Sequence, residues 1–88
     1  MCTGFTSSAA IEGVGKRNVE WFPVTKATIG FDHSSHSKNE HSLLIDFTNY
    51  DLGTDSRIAL EMDLASGKAV LALLQNMIET AEASGVRE

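Results

Sequence analysis

Cysteine occurs once in this chain, at Cys2, so no disulfide forms within one molecule. Proline is equally scarce: Pro23 stands alone, and it confines its own stretch to a sheet edge or a connection. No run approaches the ~18 consecutive apolar residues that a membrane-spanning helix requires. Basic residues are few as well. Seven Lys and Arg face twelve Asp and Glu, for a net charge of −5, and Lys16-Arg17 is the one adjacent basic pair. A face able to neutralise phosphates is therefore missing, and nucleic acid is excluded as a partner. The opening MCTGFTSSAA has neither the charged start nor the apolar centre of an export signal. Together with the lone thiol, this predicts a cytoplasmic protein.

What is present fits one folded domain over residues 1–88. The 42% apolar content is too high for a disordered chain. A domain this small buries only about 60–65% of the surface its unfolded chain exposes. Such domains often draw on a metal or on self-association for stability, so a homodimer is expected.

Hydrophobic periodicity predicts an α+β fold, with about four to five antiparallel strands and one C-terminal helix packed on them. Thr3 to Glu12 reads as a strand and Gly13-Val14-Gly15-Lys16 as a turn. In 25–33, Ala27, Ile29, Phe31 and His33 alternate with polar residues; Leu43, Ile45 and Phe47 do the same in 42–50. After the turn at Asp51 to Asp55, Ile58, Leu60 and Met62 mark another strand. The period then changes. Val70, Leu73, Leu74, Met77, Ile78 and Ala81 form an amphipathic helical stripe, with Asp63 or Ser66 as its N-cap and Gly85 beyond its end. The stripe is expected to bury itself against the sheet.

All three histidines fall within nine residues, in Asp32-His33-Ser34-Ser35-His36-Ser37-Lys38-Asn39-Glu40-His41. Imidazole with carboxylate suits a divalent transition metal, zinc or iron ahead of manganese or nickel. If 25–33 and 42–50 pair as a hairpin, His33 and His41 face each other across its neck, with His36 and Glu40 in the loop. The expected ligands are therefore His33, His36, Glu40 and His41. The spacing is not the metalloprotease His-Glu-x-x-His. The ligand types are similar to the three-histidine, one-glutamate set of the cupins, whose early His-x-His spacing is absent here. Two other readings stand beside the metal: a solvated loop that happens to hold histidines, and His33 or His41 as a general base beside Asp32 or Glu40.

Elsewhere the signals are weaker. Gly13-x-Gly15-Lys16 lacks the rest of a phosphate loop, and Asp46, Asn49 and Asp51 miss the spacing of a calcium loop. Trp21 and Phe22 suit a core or a subunit interface. Met1-Cys2-Thr3-Gly4-Phe5 resembles the start of the choloylglycine hydrolases, which implies an N-terminal nucleophile at Cys2. That likeness ends after five residues, and that fold needs a far longer chain; a buried thiol or a fifth metal ligand are the alternatives.

Over its whole length the chain resembles a family of short bacterial proteins of unknown function. The matching features are Met1-Cys2-Thr3, Gly13-x-Gly15-Lys16, Trp21-Phe22-Pro23, Phe31-Asp32-His33, Glu40-His41, Ile45-Asp46-Phe47 and Arg57-Ile58-Ala59-Leu60-Glu61. Members carry proline after the first histidine, where this chain has Ser34; that implies a more flexible loop. The resemblance implies one coherent domain and no particular activity. Two functions follow from the residues. One is a small metal-binding protein, with a metal-dependent enzyme acting on a small molecule as its sharper form. The other is a metal-free homodimeric module for small-molecule binding or structural interaction.

Overall fold

The computed structural model describes residues 4–88. Cys2, with the nucleophile and ligand readings attached to it, lies outside the described residues. The elements run β1 (Phe5–Arg17), β2 (Glu20–His33), β3 (His41–Thr48), a 3₁₀ turn (Tyr50–Leu52), β4 (Arg57–Met62) and α1 (Leu64–Ser84). Each strand pairs antiparallel with the next, so the sheet order is the chain order. The result is the α+β arrangement that the periodicity predicts, with four strands.

Register sorts the side chains. Ala27 pairs with Phe47, Ile29 with Ile45 and Phe31 with Leu43, and Ile58, Leu60 and Met62 of β4 continue those rows. Because side chains alternate along a strand, these residues share one apolar face. The opposite face is largely polar: Thr28 pairs with Asp46 and Asp32 with Ser42, and Arg57 Nη2 lies 3.1 Å from Asp46 Oδ1.

The first hairpin differs from expectation. β1 continues through Gly13 and Gly15, and the chain reverses instead at Asn18-Val19, between paired Arg17 and Glu20. Asn18 takes a φ of +56°, which asparagine tolerates better than most residues. Gly15 serves a different need. A Cβ there would lie 2.6 Å from Ile58 Cδ1 and 3.2 Å from Val24 Cγ1, so the glycine lets the curled sheet bring β1 over β4. Arg17 fastens that curl by donating from Nη1 to the Asp55 carbonyl. Between Ala10 and Gly13 the register slips, a bulge of the kind that bends a strand.

Pro23 sits in β2 beyond the stretch paired with β3, which starts at Lys26. Its carbonyl accepts from Asn49 Nδ2 at 3.0 Å, so the side on which its N–H is missing carries no strand. The edge-like position that its chemistry demands is met inside an otherwise central strand.

Both helix ends follow the sequence. Asp63 caps α1, its carboxylate accepting from the Ser66 N–H at 2.7 Å, and Gly85 ends it with a φ of +73°. The stripe does not behave as expected. No residue of α1 is buried; Leu73 is 71% exposed and Met77 68%. The helix meets the sheet near its first turn, where Leu43 lies so close to Gly67 that a Cβ there has no room. Among the described residues Val24 is the one buried hydrophobic side chain. Trp21 is largely exposed too, with Lys16 Nζ 5.9 Å from its ring centroid. An apolar period shows which side of a helix avoids water, but not which surface covers it.

Candidate metal centre

The β2–β3 ladder ends on the pair His33 and His41. Their rings stand 4.5 Å apart, centroid to centroid, and Phe31 stacks on His41 at 5.9 Å. One further bond, from the Ser34 N–H to the Glu40 carbonyl at 3.0 Å, closes the neck and holds Glu40 beside them. One ligand atom from each of His33, Glu40 and His41 lies within 4.8 Å of the others. A tetrahedral ion with bonds of about 2.1 Å sets its ligands about 3.4 Å apart, so side-chain rotations of about an ångström suffice to close the set. His41 is half-buried, while His33 and Glu40 are exposed.

His36 is drawn elsewhere. Its Nδ1 lies 3.7 Å from Glu61 Oε2, with the imidazole itself 91% exposed. Asp32 lies on the opposite sheet face from His33, and its Oδ1 accepts the His33 backbone N–H at 2.7 Å. The imidazole–carboxylate neighbour at the neck is therefore Glu40.

Sequence reasoning missed Glu61, which reads simply as an outward residue of β4. Its carboxylate accepts three consecutive backbone N–H groups, from Ser35 at 3.1 Å, His36 at 2.8 Å and Ser37 at 2.9 Å. Those bonds, His36's foremost and then Ser37's, hold its carboxyl below the usual glutamate range. Beneath the loop, Ser42 Oγ is fully buried and lies 2.6 Å from both Ser34 Oγ and Ser37 Oγ. The serine-rich stretch is thus internally bonded. Ser34 also donates an N–H that proline lacks, so the expected loosening at this position is met by an anchor. No local pattern announces Glu61, because its partners lie 24 to 26 residues away.

The Glu61 clasp can be checked directly. Glu61→Gln keeps the shape but loses the charge and one acceptor, so amide exchange at Ser35, His36 and Ser37 should quicken while the β2–β3 ladder stays protected. In the wild type, a lowered carboxylate contributes fully above its ordinary value near 4.5. That contribution fades as pH falls through the lower folded value. Unchanged protection of those three amides in the variant would remove the clasp.

The fold and the neck define a class: an antiparallel four-stranded meander with a C-terminal helix and a two-histidine, one-carboxylate cluster at a hairpin end. The chain belongs to the Family of unknown function (DUF6295), whose model matches residues 1–87. Neither the curated proteins nor the solved structures provide a match.

Proposed function

We propose that this protein binds a divalent transition metal through His33, Glu40 and His41, and presents it to a small molecule. The observation that carries the reading is the convergence of three ligand atoms within 4.8 Å on a strand-paired neck. Two imidazoles and a carboxylate suit zinc or iron, and three protein ligands leave a position open, as catalytic sites do. A metal held there supplies Lewis acidity to a substrate oxygen or to water. The chain's own part is placement: the ladder positions the residues that carry the two imidazoles, and the Ser34–Glu40 backbone bond positions the main chain from which the Glu40 carboxylate reaches. The exposure of His33 leaves the site open to solvent and to a ligand.

Titration of zinc, ferrous iron, manganese and nickel into untagged, chelator-treated protein tests this. A metal that binds only the folded state at a hundredfold excess over its Kd adds about 2.7 kcal/mol. In a domain this size that is a rise of about 10–20 °C in melting temperature. Only neutral imidazole coordinates, so the rise should shrink between about pH 7.5 and about pH 5.5. If none of the four metals raises the melting temperature at the higher pH, the metal-free module remains.

A further inference from the structure

We propose that a second copy of this chain covers the apolar sheet face and the helix stripe, so that the folded unit is a dimer. This stands apart from the metal reading. The chain exposes 7092 Å² of surface. A compact monomer of 9.5 kDa exposes about 5,000 Å², so about 2,000 Å² is in excess. The radius of gyration, 14.9 Å, likewise exceeds the ~12 Å of a compact chain of this length.

Part of this excess is apolar surface on the sheet face and on the helix. Ile29 in the inner strand β2 is 50% exposed, and Leu60 of the terminal strand β4, in the same row across Ile45, is 45% exposed. On the helix Leu74 is 57% exposed and Ile78 49%. Phe5, Ile29, Phe31 and Leu43 line a shallow depression of about 400 Å³, a seat of suitable size for side chains from a helix ridge. Apolar patches on stable monomers are typically no larger than about 300–600 Å².

The area selects the occupant. Covering even half of that excess on each of two chains buries about 2,000 Å² in total, the lower end of the ~2,000–5,000 Å² range of obligate homodimers and above that of passing contacts. Each copy carries both halves of the contact, a helix ridge and a sheet depression. A two-fold axis therefore satisfies both copies at once and closes the assembly. Charge agrees: the polar sheet face holds Asp46, Arg57 and Glu61, whereas the apolar face is uncharged through its centre.

The test uses the full chain without added metal and with chelator present. Light scattering should report twice 9.5 kDa at micromolar concentration, and the melting temperature should rise with protein concentration, as it does when unfolding and dissociation are one event. Leu74→Asp, exposed within one chain, should yield a monomer or an unfolded chain, and Ile29→Asp should do the same. Thr28→Lys, on the polar face opposite Asp46, should leave the dimer mass unchanged. A monomeric wild type whose melting temperature ignores concentration overturns the proposal. So does a Leu74→Asp protein that keeps the wild-type mass and melting temperature, since the copies then meet elsewhere.

Discussion

Gly30→Ala is expected to destabilise the protein by about 3 kcal/mol, whereas Gly13→Ala is expected to be neutral or slightly stabilising. The two substitutions add the same methyl group within the same pair of strands. At Gly30 the new Cβ lies 2.7 Å from the Phe5 carbonyl oxygen and 3.3 Å from Thr6 Oγ1. The nearer atom is backbone, which cannot rotate away, so β1 must separate from β2 at that end. At Gly13 the nearest atom is Val24 Cγ2 at 3.7 Å, an ordinary contact. A domain of this size has about 4–13 kcal/mol of stability, so 3 kcal/mol is a large share of it. Urea midpoints of the two variants, compared with wild type, provide the measurement. Equal midpoints would mean that β1 does not lie over Gly30 as described.

Removing the neck imidazoles should have the largest effect on metal binding. His33→Ala and His41→Ala each delete a proposed ligand held by the ladder, and should weaken binding by more than the roughly 10–100-fold typical of changes to groups behind a metal ligand. Glu40→Gln keeps the shape and one oxygen, so an intermediate loss is expected. His36→Ala should shift the affinity by no more than about threefold (well under 1 kcal/mol), because its imidazole faces Glu61 and the clasp uses its backbone N–H. Calorimetric titration of zinc into the four variants gives the ranking. Were His36→Ala to cost as much as His33→Ala, the loop would have to refold on binding, and the three-residue set would be wrong.

The hairpin that builds the neck follows from local pattern. Alternation in 25–33 and 42–50 predicts strands, and the short polar loop predicts their pairing; the His33–His41 register then follows from counting back along the loop. The helix caps were equally accessible, because an N-cap carboxylate and a C-terminal glycine act within one turn. Local signals misled where a distant element decides. Gly13 and Gly15 have turn chemistry, yet Gly15 is a strand residue because Ile58, 43 positions later, takes the space of its side chain. Asn18 carries the reversal instead. Glu61 escaped for the same reason. The four-ligand expectation joined the hairpin register to the loop's composition, which does not say which way a loop histidine faces; in the structure the His36 imidazole lies toward Glu61, apart from the cluster of His33, Glu40 and His41.

The slip in β1 bears on fibril formation. Within the described sheet β1 is a terminal strand of 13 residues, and its outer edge presents backbone groups along most of that length. A flat edge of that kind is a template for cross-β stacking of one molecule on the next. The bulge divides the ladder into a run of six pairs, Phe5 to Ala10, and a run of five, Gly13 to Arg17, with Ile11 and Glu12 out of step between them. A neighbouring strand that matches one run loses register with the other, and the second run ends in Lys16 and Arg17, whose charges repel a copy stacked in register. The irregularity that bends this strand also makes the longest edge of the sheet a poor template for stacking.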